Sequence, residues 1–232
     1  MPTLLVFGAR NVGRVLARGL AGDGWDVAGV ARTQETVDEL RAEVPTALGI
    51  AADAVSGDET ERAFAETRAR FGSPDLVVSA ITDWPRGGSI VELGGDAVEG
   101  YFQRLLPAIW NILRIGCREL EPRGGTFVQM TGGSARRGMP QRAPWAATAF
   151  ATRAFTQSAA AEMRAKGVHV ALLIVDAIIE SEKTREMLGD APRERSTPME
   201  EVVRAIGYLH SQSARAWTHE LQLTPALETW VP

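Results

Sequence analysis

The feature that most constrains the fold is a regular alternation of short apolar runs and longer amphipathic segments. The short runs are continuous stretches of Val, Ile, Leu and Phe, which is typical of parallel strands covered on both faces. The strand candidates are Thr3–Phe7, Asp26–Ala31, Thr46–Ala52, Asp75–Ala80, Gly125–Thr131, Val168–Val175 and Glu220–Thr224. The helix candidates are Val12–Ala21, Thr36–Glu43, Asp58–Phe71, Asp96–Leu120, Trp145–Lys166 and Met199–Ser211. Over residues 1–232 this alternation predicts a single α/β domain, a doubly wound parallel sheet of about seven strands with helices on both faces.

Composition narrows the classes of function. A net charge of −4 and a pI near 5.5 argue against a nucleic-acid partner or an anionic membrane surface. The most apolar run, Val170–Val175, is far too short to span a membrane, and the amino terminus does not have the pattern of a signal peptide. The single cysteine, Cys117, excludes an internal disulfide. These observations predict a cytoplasmic protein that binds a small molecule.

Ligands bind such sheets at the carboxyl ends of the strands, so the loop after the first strand is the first candidate site. Gly8 and Gly13 have the spacing of the outer glycines of a G-x-G-x-x-G pattern, which holds a pyrophosphate at a helix N-terminus. Arg10 stands where the middle glycine belongs, and its side chain either swings away from the phosphates or binds one itself. We predict that Gly8, Arg10, Asn11 and Gly13 bind a dinucleotide; the alternative is a tight turn without a ligand.

The second strand ends without the carboxylate that would bind both ribose hydroxyls. Arg32 follows it, and with Arg10 it can neutralise a 2′-phosphate, which favours NADP(H) over NAD(H). The alternative for Arg32 is a solvated surface charge. Asp53, after the third strand, is a candidate acceptor for an adenine amino group. That no cofactor binds at all stays open.

These segments, in this order, resemble the short-chain dehydrogenase/reductase family, whose members have a Rossmann-like fold. The resemblance covers nearly the whole chain and rests on Gly8–Arg18, Asp75–Ala80, Gly124–Ser134, the alanine-rich helix from Trp145 and Val168–Val175. The stretches Met130–Ser134 and Ala216–Leu221 are similar to an atypical bacterial branch of that family. The scaffold matches well, whereas the site matches poorly.

The resemblance implies hydride transfer in which a Tyr moves the proton, a Lys one turn later lowers the pKa of that Tyr, a Ser polarises the carbonyl and an Asn holds a water. In this chain the aligned positions are Trp145, Ala149, Gly132 and Ala108. An indole N–H donates a hydrogen bond but has no useful proton to transfer. The site is therefore predicted to be degenerate.

Two further loops differ from the family. Its Asn-Asn-Ala-Gly run reads Ser79-Ala80-Ile81-Thr82 here, and its Pro-Gly pair after the sixth strand reads Asp176-Ala177. The resemblance implies that Ser79 lies at the cofactor and that Ser181 stands in for a Thr that binds the carboxamide.

Several residues are candidates to replace the missing groups. Thr131 or Ser134 can donate to an oxyanion, with helix capping or turn formation as the alternative. Asp176 is the carboxylate best placed to act as an acid or base, with hydrogen bonds to loop backbone as the alternative. Tyr101 can face the cleft, but packing is the expected role.

An apolar pocket is expected beside the vacated site, or the same side chains fill it: Trp84, Trp110, Met130, Met139 and Trp145. His169 reads as a satisfied core histidine, and His210 and His219 fall outside the predicted cleft. No metal-ligand spacing is evident, so no metal site is predicted.

Three functions remain open. The first is a family member without hydride-transfer chemistry, acting as a non-catalytic subunit, a ligand-binding protein or a non-redox enzyme. The second is an NADP(H)-dependent carbonyl reductase or alcohol dehydrogenase with a rearranged acid. The third is a structural pairing partner without a small ligand. Helices Asp96–Leu120 and Trp145–Lys166 are where relatives associate, which predicts a homodimer, a homotetramer or a heteromer with an intact relative.

Overall fold

The structure is a computed structural model that describes residues 1–82 and 87–228. In chain order its elements are β1 (Thr3–Phe7), α1 (Val12–Gly22), β2 (Asp26–Ala31), α2 (Gln34–Glu43), β3 (Leu48–Ala51), α3 (Gly57–Phe71), β4 (Leu76–Ser79), α4 (Gly95–Leu120), β5 (Gly125–Gly132), α5 (Ala143–Met163), β6 (Val168–Val175), β7 (Ile178–Ile179), α6 (Glu182–Leu188), β8 (Ser196–Thr197), α7 (Met199–Ser211) and β9 (Glu220–Leu223). The main sheet has the order β3-β2-β1-β4-β5-β6-β9, and every neighbouring pair is parallel. The predicted doubly wound sheet is confirmed.

The order of the strands reverses between β1 and β4, because the chain first builds outward to β3 and then returns to the other side of β1. This is the position at which doubly wound sheets form a crevice at the carboxyl ends of their strands. The loops after β1, β4 and β5 therefore border one crevice.

Two apolar layers hold the helices on the sheet. On one face, α3, α4 and α5 pack on β-strand residues such as Phe7 and Phe127, and on the other face α1, α2 and α7 pack on residues such as Val6 and Val128. Alternate residues of each strand serve opposite layers, which explains why the strands are apolar throughout. Among the described helices none is long and apolar enough to cross a membrane.

The helix α5 begins two residues before its predicted start, and Pro144 stands in its first turn, where a missing N–H costs nothing. Three buried threonines, Thr148, Thr152 and Thr156, each donate to the carbonyl four residues earlier. These bonds satisfy hydroxyls that would otherwise be buried without partners.

The segment after β6 was not predicted from the sequence pattern. It forms the two-stranded β7–β8 sheet and the short helix α6, which has a capping box at Ser181 and Thr184. This segment is too short to give a readable hydrophobic period, so its caps are the only local signal.

Candidate functional site

The loop between β1 and α1 is shaped by two glycines. Gly8 has a φ of 91°, and a Cβ there would lie 2.8 Å from the carbonyl oxygen of Ala80. A Cβ on Gly13 would overlap the carbonyl oxygen of Gly8. Both positions therefore require glycine for close backbone approach, as the predicted pattern implies.

The third special position of the loop is Asn11 rather than Arg10. Asn11 has φ 51° and ψ −119°, a conformation that glycine adopts most easily and that Asn tolerates better than most residues. Arg10 instead forms a tight turn, in which its N–H donates to Gly8 O at 2.7 Å and its carbonyl accepts from Gly13 N–H at 3.1 Å. The unusual backbone conformation thus belongs to Asn11, and the place of Arg10 in the glycine pattern stays a prediction.

The loop presents positive charge at the crevice. The backbone N–H groups of Asn11 and Val12, at the start of α1, have no acceptor among residues 1–82 and 87–228. Gly8 and Ala9 both donate to Val30 O, at 2.9 and 3.0 Å, which fixes the loop beside the end of β2. Arg10 and Arg32 are exposed, and no ion pair involves either within the described residues. These features suit an anionic group.

The other predicted cofactor residues, Asp53, Ser79 and Ser181, make local hydrogen bonds or are buried. Asp53 is exposed, and its carboxylate accepts from Val55 N–H at 3.0 Å, so one oxygen serves a local turn. The Ser79 hydroxyl is fully buried on the face of the sheet that β4 shares with Phe7, and it has no hydrogen-bond partner in the described part of the chain. Ser181 caps α6, and its hydroxyl accepts from Thr184 N–H at 3.3 Å. Their roles at a cofactor stay predictions.

A cavity of about 30 Å³ lies where the end of β5 meets the first turns of α5. Its lining comprises Ile81, Thr82, Leu105, Ile109, Met130, Thr131, Gly132, Trp145, Thr148, Ala149 and Thr152. Three of the positions aligned with the family's site converge here, since Gly132, Trp145 and Ala149 share this cavity. A Cβ on Gly132 would lie 3.8 Å from Cζ2 of Trp145, in ordinary contact.

The fourth aligned position differs from the expectation. Ala108 is buried in the core beneath the sheet, whereas Leu105 and Ile109 are the α4 residues that line the cavity. Ile109 is the residue after Ala108, and neighbouring residues of a helix point about 100° apart, so a shift of one residue separates the core position from the cavity position. The residue there is apolar in either case.

The polar groups of the lining are largely engaged. The hydroxyls of Thr148 and Thr152 donate to carbonyls of their own helix at 2.9 and 2.8 Å. Thr131 is half-buried and is the one of the two predicted oxyanion donors that reaches the cavity. Ser134 is buried instead, with its hydroxyl 3.7 Å from Sδ of Met139. At about 30 Å³ the cavity is large enough to hold at least one water molecule.

A phenol lies next to the indole. The ring of Tyr101 contacts that of Trp145 edge to face, with centroids 6.5 Å apart, and Tyr101 is only 2% exposed. The guanidinium of Arg104 lies 5.6 Å from the centre of the Tyr101 ring. The sequence carried a signal for this position of Tyr101. Tyr101, Leu105 and Ile109 are spaced four residues apart, so they lie on one face of α4.

Asp176 is held by a partner that the sequence did not indicate. Its two carboxylate oxygens accept from Nη1 and Nη2 of Arg137 at 2.8 and 3.0 Å, and its side chain is 8% exposed. A Cβ on Gly133 would overlap this carboxylate, so the glycine is needed for the approach. Gly133 directly follows Gly132 of the cavity lining, whereas neither Asp176 nor Arg137 is among the residues that line the cavity. Asp176 thus has a packing and pairing role in this structure, and its use as an acid or base stays a prediction.

The residues that were predicted to line an apolar pocket do not all lie at the cavity. Met130 and Trp145 line the cavity, whereas Trp110 is 48% exposed on the outer side of α4. Trp84 lies outside the described residues. Among residues 1–82 and 87–228 no three potential metal-binding side chains come together.

Comparison with known proteins extends these findings. The family model described as enoyl-(acyl carrier protein) reductase matches residues 7–221. The 3-oxoacyl-[acyl-carrier-protein] reductase FabG of Staphylococcus epidermidis is 25% identical over 91% of this chain and 92% of its own length. The NADPH-dependent pterin aldehyde reductase of Arabidopsis thaliana is 28% identical over 69% of each chain.

Solved structures agree on the fold. An NADPH-bound short-chain oxidoreductase from Pseudomonas aeruginosa PAO1, described as containing an atypical catalytic center, superposes with a TM-score of 0.86 at 20% identity, over 99% of this chain and 98% of that one. An alcohol dehydrogenase from Thermococcus sibiricus, complexed with 5-hydroxy-NADP, superposes with a TM-score of 0.83 at 22% identity over the full length of both chains. With the family model spanning most of the sequence, the chain belongs to the short-chain dehydrogenase/reductase family.

Proposed function

We propose that this protein binds NADP(H) and a small apolar ligand but lacks the proton transfer of its family. The observation that carries the proposal is the convergence of Gly132, Trp145 and Ala149 on one cavity. By the predicted alignment these are the positions of the family's Ser, Tyr and Lys, and here they carry no hydroxyl, phenol or ammonium. The protein then acts as a ligand-binding or non-catalytic subunit, or as a non-redox enzyme.

The nucleotide end of the crevice supports the cofactor part of the proposal. The N-terminus of α1 with Gly8 and Gly13 would hold the pyrophosphate, and Arg10 and Arg32 would neutralise a 2′-phosphate. Bound NADPH would supply a hydride. Two structural neighbours are described with NADP-type cofactors, which is consistent with this choice.

The residues around Trp145 support the second part of the proposal, that the protein does not turn over a carbonyl substrate. A general acid in the right place contributes roughly 10²–10⁴-fold to a rate. The Trp145 indole cannot give up its proton near neutral pH, and Ala149 places no cation beside it. The apolar lining from Leu105, Ile109 and Met130 instead suits an apolar ligand.

The test combines binding and turnover. Tryptophan fluorescence is titrated with NADPH and, separately, with NADH, and NADPH oxidation is then followed with a panel of aldehydes and ketones. We expect tighter binding of NADPH than of NADH, and no oxidation above the rate without protein. Absence of binding at millimolar cofactor would remove the cofactor part, and clear carbonyl reduction would remove the non-catalytic part.

A second candidate is an NADPH-dependent carbonyl reductase in which Tyr101 donates the proton. The contact between Tyr101 and Trp145 favours it, since a phenol then lies one ring away from the family's acid position, with Arg104 nearby. If the protein reduces a carbonyl, Tyr101→Phe should lower kcat by at least about 100-fold and leave NADPH affinity unchanged. Equal turnover of the variant and the wild type would eliminate this candidate.

The outer side of α4 and α5 supports assembly into an oligomer. Trp110 and Phe150 are 48% and 44% exposed there, and Trp110 contacts Phe155 edge to face at 5.4 Å. Exposed aromatic side chains on neighbouring helices are typical of protein interfaces. Light scattering should show a dimer or tetramer that Trp110→Glu dissociates. Coexpression with an intact relative then tests the heteromer, which fails if the chain pairs only with itself.

A further inference from the structure

We propose that the ligand of the cavity around Trp145 enters with a hydroxyl group first, and that the cavity discriminates against oxygen groups that can only accept a hydrogen bond. This inference rests on the ligand-binding part of the proposed function. It gives that ligand a chemical class, a small neutral alcohol with an apolar body. The observation that carries it is the hydrogen-bonding character of the cavity, whose described side chains accept at the buried end and donate only at the mouth.

The cavity has a mouth and a buried inner end. The mouth consists of the lining residues that are half-buried or exposed: Ile81, Thr82, Leu105, Met130, Thr131, Gly132 and Trp145. The inner end consists of the lining residues that are buried: Ile109, Thr148, Ala149 and Thr152. A ligand that enters from the crevice therefore meets Trp145 and Met130 before it reaches the threonines of α5.

The polar side chains of the inner end can accept hydrogen bonds but have no hydrogen to donate. The hydroxyls of Thr148 and Thr152 donate to the carbonyls of Pro144 and Thr148, at 2.9 and 2.8 Å, and each oxygen keeps lone pairs. Ile109 and Ala149 carry no polar side-chain atom, and the N–H groups of α5 at these positions serve the helix. A carbonyl oxygen at the inner end would thus meet no free donor among the described side chains.

A buried acceptor behind the lining lacks a donor. Gln129 is 0% exposed and lies on β5 two residues before Thr131, so both side chains project from the same face of the sheet. Its Nε2 donates to Met130 O at 3.0 Å and lies 3.5 Å from Ser79 O, which fixes the orientation of the amide. Oε1, on the other side of the amide, is buried without a hydrogen-bond partner in the described part of the chain. Because an unpaired buried acceptor is unfavourable, a ligand group that donates to it gains affinity.

Ser79 lies beside this acceptor. It pairs in register with Gln129 on the adjacent strand, and paired residues of neighbouring strands are about 4.8 Å apart. Its hydroxyl is also buried without a partner among the described residues, so it does not bond to Gln129 Oε1. A ligand hydroxyl can accept from Ser79 and donate to Gln129 at once. An ether or carbonyl oxygen can only accept, and a carboxylate would bring negative charge toward Oε1.

The cavity gives a hydroxyl a route to these two groups. At about 30 Å³ it is large enough for a water-sized group. Gln129 and Ser79 do not line it, so a bound alcohol must displace a side chain of the inner end before its hydroxyl reaches them. The two unpaired polar groups favour this opened state when a donor is supplied. The apolar body of the ligand then lies at the mouth, beside Leu105, Met130 and Trp145.

This arrangement is the reverse of what the reduction of a carbonyl requires. A reductase directs donors at the carbonyl oxygen, where negative charge develops. The lining side chains that carry a donor are Trp145, Thr131 and Thr82, and all three belong to the mouth. A ketone or aldehyde bound there would leave Gln129 Oε1 unpaired, whereas an alcohol would satisfy it.

Matched ligands test the proposal. n-Butanol and its isomer methyl propyl ether contain the same atoms, but only the alcohol can donate a hydrogen bond. Their binding to the full chain, with and without NADPH, is titrated by NMR with the side-chain amide of Gln129 as the reporter, and sodium butyrate is titrated in the same way. We expect the alcohol to bind at least about tenfold more tightly than the ether, and butyrate to bind more weakly than both.

Two outcomes would overturn the proposal, and they differ in what else they remove. Equal binding of the alcohol and the ether would contradict the hydroxyl preference and leave the binding of an apolar ligand intact. Absence of binding by all three compounds would overturn the preference together with the ligand-binding part of the proposed function.

Variants assign the effect to individual side chains. Gln129→Met removes the acceptor at similar length, so n-butanol and methyl propyl ether should then bind equally. Thr152→Val removes a hydroxyl of the inner end and should weaken the binding of n-butanol. Thr156→Val is its matched control, because Thr156 makes the same bond to the carbonyl four residues earlier, at 2.8 Å, but does not line the cavity. Equal loss of n-butanol binding in the two threonine variants would contradict the proposal, and this pair decides it even if Gln129→Met does not fold.

Discussion

The loop between β1 and α1 and the cavity between β5 and α5 border the same crevice, yet they depend on different parts of the chain. The first is built from backbone, with Gly8 and Gly13 shaped by close approach. The second is built from side chains, and those around Trp145 are mostly apolar. A phosphate can be held by N–H groups and a helix N-terminus whatever the neighbouring side chains are, whereas a proton must come from a specific titratable group. A family scaffold can therefore keep one end of its site while the other diverges.

The largest effect is expected from Gly13→Ala. The new methyl group would overlap the Gly8 carbonyl, so the loop must move, and this movement disturbs the packing of α1 against β1. We expect a loss of about 3 kcal/mol in the free energy of unfolding, measured in urea, and a loss of NADPH binding.

Gly19→Ala is the matched control on the same helix. No atom lies within 4 Å of a Cβ at Gly19, and alanine favours the helix. This variant should gain about 0.5–1 kcal/mol and bind NADPH as the wild type does. If both variants behave alike, the close approach of Gly8 and Gly13 does not shape the loop.

Gly133→Ala tests whether a glycine is also required for close approach near the cavity around Trp145. Its methyl group would displace the Asp176 carboxylate and break the ion pair with Arg137, for an expected loss of about 2 kcal/mol. Gly132→Ala, one residue earlier, adds a methyl group in ordinary contact with Trp145 and should change stability by less than about 0.5 kcal/mol. In the double variant Gly133→Ala with Asp176→Ala, the loss should fall short of the sum of the single losses, since one clash causes both.

The fold was largely readable from the sequence. The strands β1, β2 and β6 begin and end as predicted, because each is a continuous apolar run that ends at a glycine or a charged residue. The α5 helix was harder to delimit. Its alanines and threonines give only a weak apolar stripe, and its start depends on Pro144, not on hydrophobic period.

The site was readable only where it follows from local pattern. Gly8 and Gly13 are recognisable from spacing, but the unusual backbone of Asn11 depends on how the turn closes in space. The partner of Asp176 is 39 residues away in sequence, so no local pattern links it to Arg137. Tyr101 carried a helical-period signal, but its contact with Trp145 depends on the packing of α4 against α5.

Arg32→Gln sharpens the nucleotide half of the comparison. If Arg32 contacts a 2′-phosphate, its loss should weaken NADPH binding by about tenfold and leave NADH binding unchanged, because only NADPH carries that charge. Arg18→Gln is a suitable control, since Arg18 is an exposed arginine of α1 that lies 3.5 Å from Glu43. If Arg32→Gln weakened the binding of NADPH and NADH equally, Arg32 would not contact the 2′-phosphate.

The smallest effect is expected where the family would suggest the largest. Trp145→Tyr with Ala149→Lys would place a phenol and an ammonium at the positions predicted for them, yet it should raise carbonyl reduction by less than about tenfold. Gly132 still offers no hydroxyl to polarise a carbonyl, and Leu105 and Ile109 still offer no group to hold a relay water. Adding Gly132→Ser is sterically possible, because its Cβ would lie 3.8 Å from the indole, and activity should first rise in that triple variant. If the double variant reduced carbonyls at a rate near that of the triple variant, two side chains would suffice for catalysis. Gly132 and the apolar lining would then not be what prevents turnover.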